Sequence, residues 1–309
     1  MALVFISKSD DPDEYTRQMQ ALMPELEVRV WPEAGETSEV DFALTWKAKP
    51  GVLAGFPNLK AISSLGFGVD HLFDDPTLPA EVPLVRLVEE TLTGQMSEYA
   101  ILGILRHHRM LEGYGVAQTA ARWFREAPPD TGVTPVGLLG LGVTGADCAS
   151  KAAGFGFPVR GWSRSPRALP GVECFHGPDG LEPMLAESRF LVCLLPLTPE
   201  TRGIINARTL AALPRGAYVI NAARGGHVVD ADLLAALESG HIAGAMLDVF
   251  NQEPLPRDHP YWTHPKVTVT PHIAGLCVPR LMAPQIVDNV RRVREGRPLL
   301  NLVDRARGY

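Results

Sequence analysis

No stretch of the 309-residue sequence approaches about 18 consecutive apolar residues, so no membrane-spanning helix is expected. The amino end, MALVFISKSDDPDEY, lacks both a basic segment and a small-residue cleavage pattern, and no secretory leader is expected either. Cysteine is scarce. Cys148, Cys174, Cys193 and Cys277 stand far apart with no C-x-x-C, which excludes a disulfide framework and implies reduced thiols in a cytoplasmic protein. Neither H-E-x-x-H nor a Cys/His cluster at zinc spacing occurs, so no metal is expected. The neighbouring His107 and His108 lie in a helical stretch and point in different directions, as packing residues do. There is no excess of positive charge: 29 Lys and Arg against 35 Asp and Glu leave a net charge of −6. That balance excludes the basic stripe of a nucleic-acid surface. No internal repeat at roughly 20–50 residues is present, so solenoids and propellers are excluded.

What is present is an alternation of short apolar runs with helical patterns, over a length that suggests two domains. Strands are expected at Leu3–Ser7, Val28–Trp31, Phe42–Thr45, Leu59–Ser64 and Leu84–Leu87. A second series follows at Val136–Leu139, Val159–Trp162, Phe190–Leu194, Tyr218–Asn221, Gly244–Leu247 and Val267–Thr270. Between them, residues 91–127 contain no proline, and apolar residues recur at helical spacing. One long helix is expected there, loosened at its end by Gly113 and Gly115, and a last helix from about Pro279 to Glu295. The fold class is α/β: two doubly wound parallel-sheet domains with a cleft between them.

Gly140-Leu141-Gly142-Val143-Thr144-Gly145 matches G-x-G-x-x-G between a strand and a small-residue helix. Gly140 permits the tight turn, Gly142 lets backbone approach a pyrophosphate, and Gly145 permits close helix packing. The free N–H groups of the helix start, at Val143 and Thr144, suit the anion. An acid about 20 residues further on is the mark of NAD. That place carries Trp162-Ser163-Arg164-Ser165-Pro166-Arg167 instead. Ser163 and Arg164, with Arg167 second, suit the 2′-phosphate of NADP(H). NADPH is therefore the expected cofactor, with NADH possible.

Arg224 in NAARGG, Glu253 in LDVFNQEPLP and His272 in VTVTPHIAG each follow a strand, where an open parallel sheet forms its ligand crevice. Taken singly, each suits a surface or packing role; together they suit hydride transfer. Hydride addition to a ketone leaves an alkoxide that needs a proton, which histidine can supply near neutral pH. A carboxylate against its other ring nitrogen fixes the tautomer. An arginine can hold the carboxylate of a 2-oxo acid and polarise its carbonyl.

These runs, with LGFGVD (65–70), LLPLTPETRGIIN (194–206), VINAARGGHVVDADLLAALESGHIAGAMLDVFNQEPLP (219–256) and HPKVTVTPHIAG (264–275), resemble the NAD(P)-dependent D-2-hydroxyacid dehydrogenases. WSRSPR (162–167), Trp46 in LTWKAKP, GQMSEYA (94–100) and VDRARGY (303–309) look like the glyoxylate/hydroxypyruvate reductase A subgroup. The resemblance implies Rossmann-like domains: a flavodoxin-like substrate domain at 1–97 plus 276–309, and a cofactor domain at 98–275. It implies Arg224 as substrate anchor, His272 as the acid and Glu253 as its partner. Backbone N–H groups of Gly66, Phe67, Gly68 and Val69 would face the substrate carboxylate, and Trp46 would form an apolar wall. Phe67 departs from the small residue expected between the two glycines. Leu195, Pro196, Thr201, Ala222, Asp248 and Ala274 would line the cofactor, Asp248 at the nicotinamide carboxamide. A homodimer through the cofactor domain is implied, with Tyr114–Arg125 as its arm. The expected activity is NADPH-dependent reduction of glyoxylate and hydroxypyruvate. The alternatives are larger acids, 2-ketogluconate or phenylpyruvate-like, and a non-catalytic dinucleotide sensor on the same scaffold.

Overall fold

The computed structural model describes all 309 residues, which divide into two compact units: Met1–Leu92 with Leu276–Tyr309, and Thr93–Gly275. In chain order the first unit contains β1 (Ala2–Ile6), α1 (Pro12–Leu22), β2 (Glu27–Val30), β3 (Val40–Thr45), β4 (Ala61–Ser64), α2 (Asp70–Phe73) and β5 (Leu84–Val85). Its five strands are all parallel, in the order β2-β1-β3-β4-β5, the doubly wound order of flavodoxin-like sheets. Along β1, Leu3 and Phe5 enter one core cluster while Ala2, Val4 and Ile6 enter another, so the strand is covered on both faces. Asp11 caps α1, accepting the N–H groups of Asp13 and Glu14 at 3.0 and 3.4 Å, with Pro12 at the first helical position.

The chain passes into the second unit along α3 (Glu90–His108), followed by α4 (Leu111–Thr119). The single long helix expected over 91–127 is therefore two, and no helix continues beyond Thr119. The break falls at Met110, whose φ of 58° is left-handed, and not at Gly113 or Gly115, which sit inside α4. The ring of His107 stacks on Tyr218 at 4.1 Å and that of His108 meets Phe157 edge-on at 5.0 Å, pinning the end of α3 to the core.

Next come β6 (Val136–Leu139), α5 (Val143–Gly154), β7 (Val159–Ser163), β8 (Val172–His176), α6 (Gly177–Ala186), β9 (Phe190–Cys193), α7 (Ala207–Ala212), β10 (Ala217–Asn221), α8 (Asp230–Glu238), β11 (Ile242–Leu247) and β12 (Val267–Val269). All seven strands are parallel, in the order β12-β11-β10-β9-β6-β7-β8. This is the Rossmann order three-two-one-four-five-six with a seventh strand, reversing direction between β6 and β9. Along β10, Ala217 and Val219 face one cluster and Tyr218 and Ile220 the other. β8, with the sequence VECFH, is an edge strand that the apolar pattern did not announce. The last helix, α9 (Pro279–Glu295), returns to the first unit and buries Met282, Ala283, Ile286, Val287 and Val290 at helical spacing against α1.

Candidate active site

In the second unit the predicted residues lie in the loops that leave the carboxyl ends of the strands, or at those ends themselves. After β6, Gly140 has φ of 104°, and its N–H donates to the carbonyl of Trp162 at 2.9 Å. A Cβ at Gly140 would meet the carbonyl oxygen of Leu194 at 2.9 Å, and one at Gly145 would sit 1.9 Å from the carbonyl oxygen of Gly140. Neither position admits a side chain without backbone movement. A Cβ at Gly142 would meet nothing within 4 Å. Gly142 caps α5 without a side-chain acceptor, and Val143 behind it is exposed. This open, uncapped helix start is what an anionic diphosphate requires, so the residues present fit a dinucleotide.

Ser163 ends β7, and its hydroxyl donates to the carbonyl of Ser165 at 2.8 Å. Arg164 and Arg167 are exposed beyond it. The charge of Arg164 reaches Glu200, whose carboxyl is held below its usual range first by the Thr198 hydroxyl and also by this arginine. After β9, Thr201 donates to the carbonyl of Pro196 at 2.7 Å and accepts the N–H of Thr198 at 2.8 Å, closing the 196–201 loop on itself. Leu195 and Ala222 are buried beside these loops.

Arg224 follows β10 in extended conformation, half-buried, with Nη1 on the carbonyl of Ala223 at 2.8 Å. The next residue fixes the neighbouring loop, because a Cβ at Gly225 would lie 1.9 Å from the carbonyl carbon of Phe250. That loop carries Glu253. Its Oε1 accepts the N–H of Phe250 at 3.1 Å, and its Oε2 meets His272 Nδ1 at 2.9 Å. Both side chains are partly exposed, His272 by 32% and Glu253 by 20%, so the far edge of the imidazole is reachable. A carboxylate only accepts, so Nδ1 carries the proton.

Asp248 is fully buried, and its oxygens take three donors: the Ile273 N–H at 2.8 Å and the Thr270 hydroxyl at 2.6 Å on Oδ1, and the Ala274 N–H at 2.7 Å on Oδ2. Its own carbonyl accepts the N–H of His272 at 2.8 Å.

In the first unit, Trp46 follows β3 and its ring lies against that of His71 at 4.6 Å. His71 Nδ1 accepts the N–H of Lys47 at 3.3 Å, so Nε2 donates to Ser64 Oγ at 3.1 Å. Ser64 in turn donates to the Gly68 carbonyl at 2.7 Å and accepts the Gly66 N–H at 3.3 Å. The Gly66 N–H is thus engaged inside the protein. A Cβ at Gly66 would touch the Trp46 ring at 3.5 Å and Cys277 Sγ at 3.8 Å, while Val69 is buried in the core. Phe67 packs half-buried on the cluster that also receives Trp46 and Cys277.

A family model described as the NAD-binding domain of D-isomer-specific 2-hydroxyacid dehydrogenases matches residues 101–274. The glyoxylate/hydroxypyruvate reductase A of Yersinia enterocolitica is 40% identical over 314 aligned residues, covering 100% of both chains. The chain belongs to the D-2-hydroxyacid dehydrogenases. A dehydrogenase of this family from Xanthobacter autotrophicus, solved with NADPH and MES, shares 48% identity at a TM-score of 0.95, covering 100% of this chain and 99% of that one. The NADPH-dependent glyoxylate/hydroxypyruvate reductase of Sinorhizobium meliloti, solved with NADP and sulfate, is 39% identical at a TM-score of 0.93, with both chains covered completely.

Within the dehydrogenase, direct contacts join His272 to Glu253 and Asp248 to Ala274, and the Trp46 ring lies beside Gly66. Four contacting residues went unread in the sequence: Ser64, His71, Tyr99 and Thr270. Thr270 carried a signal in its place two residues before His272, and Tyr99 in the run GQMSEYA (94–100); Ser64 and His71 carried none.

Proposed function

We propose that this dehydrogenase reduces small 2-oxo acids with NADPH, glyoxylate to glycolate and hydroxypyruvate to D-glycerate. The observation that carries the reading is the contact of His272 Nδ1 with Glu253 at 2.9 Å, in the unit that also holds the uncapped glycine turn. The names of the similar proteins and the NADPH and NADP bound in the two solved relatives support substrate and cofactor.

The dinucleotide supplies a hydride when bound. Gly142, Val143 and Thr144 receive its diphosphate at the start of α5, and Ser163, Arg164 and Arg167 receive the 2′-phosphate. Leu195, Pro196, Ala222 and Ala274 border it, and Thr201 holds that loop in shape. Arg224 pairs with the substrate carboxylate and polarises the carbonyl. In the first unit, the N–H groups of Phe67, Gly68 and Val69 are assigned to carboxylate binding, and Trp46 is assigned as an apolar wall. As the carbonyl carbon gains two electrons, its oxygen takes the proton of His272 Nε2, leaving a neutral imidazole and a 2-hydroxy acid. Glu253 orients the ring and balances the imidazolium before transfer.

The partner we infer is a second copy of the chain, through the segment Tyr114–Arg125. A cytoplasmic setting is part of the same proposal, supported by four widely spaced cysteines that form no disulfide.

The test follows the nicotinamide absorbance of purified enzyme with NADPH or NADH and glyoxylate, hydroxypyruvate, pyruvate or 2-ketogluconate. Fast NADPH oxidation with the two small acids is expected, together with a loss on the order of 10²-fold or more in kcat for His272→Ala. Activity confined to 2-ketogluconate overturns the substrate assignment, and near-normal turnover of His272→Ala overturns the acid.

A further inference from the structure

His272 occupies a backbone conformation that is uncommon for a residue with a side chain. Its φ is 57°, in the left-handed region. The residues on either side must therefore be held by groups outside the turn. Asp248 does this holding: its carbonyl takes the N–H of His272 at 2.8 Å, and its two carboxylate oxygens take the N–H groups of Ile273 and Ala274 at 2.8 and 2.7 Å. One aspartate thus binds three successive amides of the turn that presents the imidazole.

A fully buried carboxylate needs a full set of donors, and the two amides are not the whole set. Thr270 Oγ1 donates to Oδ1 at 2.6 Å. Thr270 has one hydroxyl proton, and it is spent on the carboxylate. The contact of Tyr99 with Thr270 Oγ1, also 2.6 Å, is therefore a donation from the tyrosine. The order is fixed: Tyr99 O–H to Thr270 O–H to Asp248, and from Asp248 to the amides of 272–274. Tyr99 is buried on α3, and burial pushes its phenol well above its usual range, so it remains a donor at every working pH.

We propose that Tyr99 and Thr270 are positioning residues of the reductase, setting the pose of His272 through Asp248. This rests on the reading of His272 as the proton donor. Neither side chain touches the imidazole; each acts by fixing the carboxylate that clamps its backbone. Loss of the Thr270 hydroxyl frees Oδ1 of Asp248 to rotate away from Ile273, and the turn relaxes toward conformations in which Nε2 points elsewhere. Loss of the Tyr99 hydroxyl leaves Thr270 free to turn its proton from the carboxylate.

Full-length Thr270→Val, Thr270→Ser and Tyr99→Phe test this against the wild type and His272→Ala. With glyoxylate and saturating NADPH, Thr270→Val should lower kcat on the order of 10-fold and Tyr99→Phe about 3-fold, with the KM for glyoxylate changed by less than about 2-fold. Thr270→Ser, which keeps the hydroxyl, should restore kcat. Amide hydrogen exchange of the 270–275 segment gives a readout independent of turnover: it should accelerate in Thr270→Val and stay slow in Thr270→Ser. Wild-type kcat in both Thr270→Val and Tyr99→Phe overturns the proposal, as does equal loss in Thr270→Val and Thr270→Ser. Unchanged exchange in Thr270→Val overturns it whatever the turnover. An inactive wild type overturns the reductase reading instead, and exchange alone then decides for or against the clamp.

Discussion

At the scale of single residues, three glycines of one fingerprint do three different jobs, and the structure separates them. Gly145 is required by the protein itself, since a methyl group there collides with the carbonyl of Gly140 at 1.9 Å. Gly142 is not, since the same methyl group there enters open space with φ of −74°, allowed to any residue. The two alanine variants should therefore part company. Gly145→Ala should lose about 1–3 kcal/mol of stability, read as a lower Tm without ligand. Gly142→Ala should keep its Tm within about 2 °C yet bind NADPH about 10-fold more weakly, because only the ligand needs that space. Thermal scans with and without NADPH check both, and an unaltered NADPH shift in Gly142→Ala would remove the diphosphate from this turn. The exposed arginine after β7 makes a second residue-scale prediction. Arg164→Ala should weaken NADPH on the order of 10-fold and leave NADH nearly unchanged, since one of the proposed 2′-phosphate contacts is lost. Steady-state KM values for the two cofactors measure this directly.

At the scale of elements, the strands were legible because each central one is a short apolar run closed by glycine, proline or a polar turn, and buried on both faces. β8 was not, because an edge strand alternates exposed and half-buried positions and VECFH carries no such run. The break between α3 and α4 escaped for a related reason. No glycine or proline marks it; the left-handed turn at Met110 is paid for by the packing of His107 and His108 on the sheet beneath, a tertiary effect. The site shows the same division. The glycine turn, Glu253 and His272 could be read from spacing, whereas the Asp248 clamp is made mostly of backbone amides, which have no sequence signature. The end of α3 also makes a pH prediction. Burial holds the imidazoles of His107 and His108 below the ordinary value of 6.5, so the folded chain keeps them neutral where the unfolded chain takes up protons. Stability then rises with pH, and it is lost as pH falls below about 6.5 toward the lower folded values. His107→Phe, which retains a ring on Tyr218, should flatten this dependence: the drop in Tm between about pH 7.5 and 5.5 should shrink. An unchanged drop would mean that the acid sensitivity lies in other groups.

At the scale of the whole molecule, what stands out is apolar surface gathered in one segment. Trp123 is 93% exposed, Val116 69% and Leu111 53%, all in or just after α4. Isolated exposed apolar residues are ordinary; three of them within thirteen residues of one segment are what the proposed contact with a second copy would cover. The segment is not a loose tail. Tyr114 holds it closed by exchanging hydrogen bonds with Glu126, its hydroxyl donating to the carbonyl and accepting the N–H, each at 3.2 Å. The ring of Phe124 lies 5.2 Å from that of Tyr114 and beneath the guanidinium of Arg122 at 4.9 Å. Those contacts fix the backbone while turning Trp123 outward, so the tryptophan is presented rather than merely uncovered. A backbone ordered in advance loses less conformational entropy on association, which suits a contact segment. Self-association through this face should make the wild type a dimer at micromolar concentration in sedimentation velocity. The double change Val116→Ser with Trp123→Ser should shift it to monomer without lowering the Tm of the monomer, since neither side chain is part of a core cluster. A wild type that sediments as a monomer throughout, or a double variant that remains dimeric, would place the interface elsewhere or nowhere, and would leave the exposure of Trp123 without a function.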